Sequence, residues 1–347
     1  MERIKGNRGV ESEFKGKAGG LNMIEKQRLY YPYSDFLRER YGEKVYKIPI
    51  NLPVGCPNRD GTCGEGGCIY CGEEGAGFED LPNHLPVREQ IAINLPRMHR
   101  KFKAEKFIAY FQNFTNTYLP LETLSGYLDE AVAPNVVEIA LSTRPDCIND
   151  TLLTYLKEFE EKTGIRITLE IGLQTVNYHT LAWIRRGHSL AEFIDSILRI
   201  RPFGFDVCVH LILNLPGDTL ADAVEAAKIL SVLEVAQVKL HALYVVKNTA
   251  LADMFQKGQL DLVGQEEYME RVIQFLEYLA PDIVVQRLIG RAPEKDTLWA
   301  NWHTSWWKIK EEIEKQMTLT GKYQGRLCNY RNGPAIRRYY PNDGGGE

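Results

Sequence analysis

Residues 45–71 read VYKIPINLPVGCPNRDGTCGEGGCIYC. Residues 45–53 form a nearly unbroken run of β-branched and apolar residues, the pattern of a parallel strand covered on both faces. The run empties into a loop with four cysteines in sixteen residues: Cys56, Cys63, Cys68 and Cys71. Five glycines in the same loop (Gly55, Gly61, Gly64, Gly66, Gly67) give the backbone freedom to wrap a centre. Outward from this stretch the strand-then-helix rhythm repeats. Strands are expected at 106–114, 136–142, 166–173, 206–215 and 237–246, with 282–289 as a further candidate. Helical patterns lie between them at 86–103, 121–133, 151–163, 177–186, 190–200, 219–233 and 266–279. Repeated strand–helix units imply a parallel sheet with right-handed crossovers, as an open doubly wound sheet or as a full or partial barrel. No Gly-x-Gly-x-x-Gly follows the first strand, which weakens a dinucleotide-binding reading.

The composition agrees with a large α/β unit. The chain has 347 residues, 44% hydrophobic and 25% charged, so disorder, collagen and coiled coil are excluded. No stretch of about 18 uncharged apolar residues exists, so no membrane helix is expected. The N-terminal residues lack an apolar signal core, and a cytoplasmic location is the default expectation. The net charge of −4 is not that of a globally basic nucleic-acid binder, yet its distribution is uneven. Residues 1–47 carry net +4 and residues 308–347 net +3, leaving −11 between them. The basic ends are solvated termini or phosphate-contacting flanks. We expect a flexible leader at 1–25, a core at 26–293, a C-terminal extension packing on it at 294–341 and a frayed tail at 342–347.

An odd count of seven cysteines without a signal peptide argues against a disulfide framework and for a metal or cluster site. Cys68 and Cys71 form a C-x₂-C pair, whose turn lets two sulfurs converge on one centre. Thiolates suit zinc or iron–sulfur clusters. A Cys₄ zinc loop stays open, although only one C-x₂-C knuckle is present.

Several motifs follow one another in a familiar order: CPNRDGT at 56–62, GGCIYC at 66–71, YFQNFTNTY at 110–118, STRPD at 142–146 and EIGLQT at 170–175. RRGH at 185–188, LNLPGD at 213–218 and QG at 324–325 complete them. The chain thereby resembles radical S-adenosylmethionine (SAM) enzymes, and among them the YhcC/YtqA-type branch, related to the elongator catalytic subunit and the oxygen-independent coproporphyrinogen oxidases. The resemblance implies a partial (β/α)6 TIM-like parallel barrel with N- and C-terminal extensions. It implies a [4Fe–4S] cluster on Cys56, Cys68 and Cys71, the common C-x₃-C-x₂-C being stretched here to C-x₁₁-C-x₂-C, with Cys63 spare. The open fourth iron would chelate SAM for reductive cleavage.

The same resemblance suggests the SAM contacts. Gln112 and Asn113 would lie near the amino group, Arg144 and Arg186 at the carboxylate, Glu170 and Gln174 at the ribose. Asn214 would meet the ribose or adenine, and Tyr70 the adenine. Arg144 has a structural alternative, an ion pair with Asp146. His210 and His241 read as core histidines, and Trp299, Trp302, Trp306 and Trp307 as packing. The implied substrate is a tRNA wobble uridine, with an electron donor such as flavodoxin or ferredoxin and no membrane. The rivals are a porphyrin-like or other small-molecule substrate, and a non-catalytic zinc-stabilised RNA-binding module.

Overall fold

A computed structural model describes residues 28–73, 75, 81–293 and 296–340. The expected leader and tail lie outside these residues. The expected strands form as β1 (Val45–Ile50), β2 (Lys106–Phe111), β3 (Val136–Thr143), β4 (Arg166–Gln174), β5 (Asp206–Ile212) and β6 (Gln237–His241). After a two-residue β7 (Val245–Val246), the further candidate forms as β8 (Val284–Arg287). All are parallel except β7, which pairs antiparallel with β9 (Thr297–Trp299). The order in the large sheet is β1-β2-β3-β4-β5-β6-β8. A doubly wound sheet reverses strand order once. This one never does, so the twist accumulates in one direction and the sheet curls into a seven-stranded half-barrel. The partial TIM-like barrel is the fold, with one strand beyond the six expected.

Helices cover the outside: α1 (Tyr33–Tyr41), α2 (Val87–Phe102), α3 (Leu121–Glu130), α4 (Asp150–Thr163), α5 (Tyr178–Trp183), α6 (Leu190–Ile200), α7 (Leu220–Val232), α8 (Ala250–Gln256), α9 (Gln265–Tyr278) and α10 (Trp306–Thr320). Outward strand residues such as Ile48, Ile139, Leu169, Val209 and Val238 join the main core beneath them. At the N-terminal end of the barrel α1 inserts Leu37 among Val45, Ile108, Tyr110 and Ala140 and plugs that opening. The inner face differs from the both-faces-apolar expectation. Lys47, Glu170, His210 and Lys239 alternate inward between the outward apolar residues and pair with one another there. An alternating strand and a buried parallel strand look alike when the polar residues are few and long-stemmed.

The C-terminal extension carries the helix α10, which the sequence reading did not assign. Ile309, Ile313 and Met317, four residues apart, are fully buried on its inner stripe. The tryptophans divide: Trp299 and Trp302 meet edge to face at 5.7 Å in a second core, whereas Trp306 and Trp307 are 39% and 45% exposed. Two buried side chains hold the chain after α10. Gln324 donates to the carbonyls of Ala280 and Ile283 at 2.6 and 2.8 Å and accepts from the Tyr31 N–H at 2.8 Å. Glu277 pairs with Arg326, and with Lys322 at 3.5 Å. No helix among the described residues is long and apolar enough to cross a membrane.

Candidate cluster and cosubstrate site

The cysteine loop leaves the C-terminal end of β1, the end where catalytic loops of such barrels lie. Its turns are held by backbone hydrogen bonds: Arg59 N to Cys56 O at 2.8 Å, Gly67 N to Asn58 O at 2.8 Å, Cys71 N to Cys68 O at 3.0 Å. Two side chains tie it to its surroundings. Asn58, buried, donates from Nδ2 to the Arg185 carbonyl at 2.6 Å and lies 3.4 Å from Cys68 Sγ. Arg59 donates to the carbonyls of Cys71 and Gly72 at 2.9 and 2.5 Å, and its guanidinium covers the Phe114 ring at 5.1 Å. Gly187 completes the seam: its φ of +76° suits glycine, and a Cβ there would collide with Asn58 Oδ1. Neither Asn58 nor Arg59 was among the expected site residues, although both lie inside the quoted motif.

Cys68 is buried, Cys56 and Cys71 are partly covered, and Cys63 is exposed. Burial, with Cys68 adding to it, pushes the Cys71 thiol up to about 11, while Arg59 pulls the other way. Arg186 is buried, with Nη1 3.7 Å from Cys68 Sγ and Nη2 2.7 Å from the Gly172 carbonyl. Three sulfurs on one loop, with cations beside Cys68 and Cys71, suit a centre that requires thiolates. A cleft of about 510 Å³ opens between the loop and the α5–α6 turn, lined by Cys63, Asn58 and Arg186 among others.

The other expected residues gather around the same mouth with unequal freedom. Gln174 ends β4 with φ +77°, where the β4–β5 register slips between Gly172 and Gln174. That bulge re-aims the side chain, and a Cβ on Gly172 would lie 2.7 Å from Gln174 Nε2 and from Arg186 Nη2. Gln112 follows β2, its N–H donating to Ile50 O at 3.3 Å. Asn113 donates to Asn51 Oδ1 at 2.7 Å. Asn214, fully buried, accepts from the Leu243 N–H at 2.6 Å. Asn113 Oδ1, Arg186 Nε and Asn214 Nδ2 are buried without a partner. Orphaned buried polar atoms are rare, and three at one mouth fit a polar cosubstrate. Tyr70 packs against the second core, next to Cys68.

Two of the expected contacts, Arg144 and Glu170, are engaged by partners within the protein. Arg144 is only 2% exposed, and its fork grips Asp146 at 2.8 and 2.6 Å while Nη1 donates to the Arg186 carbonyl at 2.9 Å. It is committed to the ion pair and braces the Arg185–His188 turn, leaving Arg186 as the cation with an open donor. Glu170 lies in mid-strand inside the barrel, its carboxylate taken by Lys47, Lys239 at 2.9 Å and His210 at 2.7 Å. It is the counter-ion of both lysines.

The imidazoles give a pH dependence. Burial first, then Lys239, holds His210 down to about 4; burial first, then Arg186, holds His188 down to about 3. Unfolded, both titrate near 6.5 and bind protons that the folded state refuses. Their contribution is complete above pH 6.5 and declines as pH falls toward 4 and then 3. The midpoint of thermal unfolding is expected to drop through that window, and His210→Gln to flatten the drop between pH 6.5 and 4.

A curled parallel half-barrel with a four-cysteine loop at its C-terminal mouth is the arrangement expected of the iron–sulfur class of radical enzymes. The chain belongs to the radical SAM superfamily: residues 50–230 match that family and residues 235–318 its C-terminal domain. The protein is therefore an enzyme whose family uses a [4Fe–4S] cluster and SAM. The chain is 34% identical over 302 residues to YtqA of Bacillus subtilis, covering 87% of this chain and 93% of that one. It is 23% identical over 309 residues to a tRNA uridine(34) acetyltransferase of Methanocaldococcus jannaschii, covering 77% of this chain and 55% of the relative. Among solved structures, Elp3 of Methanocaldococcus infernus aligns with a TM-score of 0.62 at 16% identity, over 81% of this chain and 64% of that one. Membership sets aside the non-catalytic zinc module.

Proposed function

We propose that this enzyme cleaves SAM reductively and acts on the 5-substituent of a tRNA wobble uridine in the cytoplasm, fed by a flavodoxin- or ferredoxin-type donor. The observation that carries the substrate is the likeness, over 77% of this chain, to a protein named for tRNA uridine 34. The chain spans about half that relative's length. Cys56, Cys68 and Cys71 would hold the cluster, and Cys63 would stay free. When bound, the cluster supplies the electron that splits SAM into methionine and a 5′-deoxyadenosyl radical.

The chain's own residues bind and orient. Arg186 offers its unpartnered Nε to the SAM carboxylate, in the charge-assisted geometry that guanidinium favours. Asn113 and Asn214 offer one unpartnered amide atom each, and Gln174 reaches the mouth from the bulge. Arg144 and Asn58 fix the turn that carries Arg186.

The basic ends are narrower than the charge count suggests. Lys5, Lys15, Lys17 and Lys26 lie outside the described residues. Arg28 pairs with Glu39 at 3.2 Å, and Lys322 and Arg326 pair with Glu277. Arg331, Arg337 and Arg338 are exposed and are the remaining phosphate contacts at the C-terminal end. A wobble base is unpaired and can leave its stack to enter the barrel mouth. The test compares tRNA nucleosides by mass spectrometry from cells with and without the gene. A 5-substituted wobble uridine is expected to change. Identical profiles while the protein is expressed would move the reading to a small molecule.

A further inference from the structure

The inner face of the barrel below the cosubstrate mouth carries more positive charge than it balances. Lys47 on β1, Lys239 on β6 and Arg287 on β8 converge there, and Lys239 and Arg287 are register partners. The carboxylate among them, Glu170, pairs with both lysines. Arg287 has no carboxylate within ion-pair distance among the described residues. Its Nη2 contacts the His241 ring at 2.7 Å, and its Nε is buried without a partner. His241 stacks on His210 at 5.2 Å, and both rings are held neutral by burial and by these same cations. Three fixed cations face Glu170, and the other buried carboxylate of this face, Glu138 on β3, is taken by Tyr41 and Thr168 and pairs with none of them.

The basin's lining side chains are not sealed from solvent. The side chains of Lys47 and His210 keep 19% and 15% exposure, and Arg287 and His241 are only half-buried. It touches the site above: His210 pairs in register with Gly172, whose carbonyl holds Arg186. Buried charge without a counter-charge is costly, and substrate sites are where such imbalance persists. A divalent metal is the wrong occupant. Glu170, Cys208 and His210 do bring ligand atoms within 4.8 Å of one another, but two ammonium groups already hold that carboxylate.

We propose that this basin seats an oxyanion of the substrate, a carboxylate or a phosphoryl group, with Arg287 as its principal donor. The inference rests on the radical SAM reading for the site's purpose and deepens it by naming a charge the substrate carries. A flipped nucleotide and an acidic small molecule both supply such a group.

The test is thermal unfolding of the anaerobically purified full-length protein titrated with inorganic phosphate or malonate, at constant ionic strength held with chloride. A saturable rise in Tm is expected with at least one probe. Arg287→Gln should weaken the apparent affinity about tenfold or more, the effect of losing a charge-assisted contact, while Arg287→Lys retains most of it. Malonate alone marks a carboxylate, phosphate alone a phosphoryl group, and both mean that charge is read more than shape. Equal shifts in wild type and Arg287→Gln, or none beyond chloride, overturn the proposal. Should Arg287→Gln fail to fold, Lys239→Met makes the same comparison. Release of 5′-deoxyadenosine is measured separately. Its failure, or unaltered tRNA nucleosides, would count against the functional reading while the anion titration still stands or falls by itself.

Discussion

Cys68→Ala or Cys71→Ala is expected to abolish iron loading. The wild-type protein, purified without oxygen, is expected to be brown and to hold about four irons with equivalent sulfide, as a [4Fe–4S] site requires. Each variant should fall to background, because a cluster site that loses one of its three thiolates no longer holds the iron. Cys63→Ala should load like wild type. Cys63 is exposed and lines the cleft between the loop and the α5–α6 turn. Iron and sulfide analysis with absorption spectroscopy decides the matter. Loss of iron in Cys63→Ala would move Cys63 into the ligand set, and stoichiometric zinc without sulfide would remove the cluster altogether.

Glu170→Ala carries the largest stability cost we expect from one substitution. Its carboxylate is fully buried and holds Lys47, Lys239 and His210. Removing it leaves two ammonium groups facing Arg287 inside the barrel. Breaking a buried ionic network by deleting one partner typically costs 3–5 kcal/mol; about 3 is expected here, because Lys47 keeps 19% side-chain exposure and is partly hydrated. Chemical denaturation at pH 7 measures it. A loss below about 1 kcal/mol, the range of surface pairs, would mean that water already shields the lysines.

Much of the architecture was legible before any coordinate. Six strands and seven helices appear near their expected positions because each follows from a local apolar run and its flanking turn residues. The α6 start is an example, where Ser189 and Glu192 form a capping box. The seam of α10 escaped notice because Ile309, Ile313 and Met317 are diluted by exposed tryptophans and a run of charged residues.

The site was legible as a list and not as an arrangement. Spacing alone shows that Cys68 and Cys71 can meet, and the run of motifs marks the strand ends around them. Whether Arg144 reaches outward or grips Asp146 depends on a turn brought beside it from residue 186. Asn58 matters because Gly187, far along the chain, closes against it.

The residues by themselves determined the α/β class, the strand–helix order and a thiolate-rich loop after the first strand, since all three are written in short-range pattern. Only the tertiary structure decided which polar side chains share the barrel interior. Lys47, Glu170, Lys239 and Arg287 lie on four different strands, up to 240 residues apart. Their charges acquire meaning only when the sheet curls, excludes water between them and gives both lysines, but not Arg287, the carboxylate of Glu170.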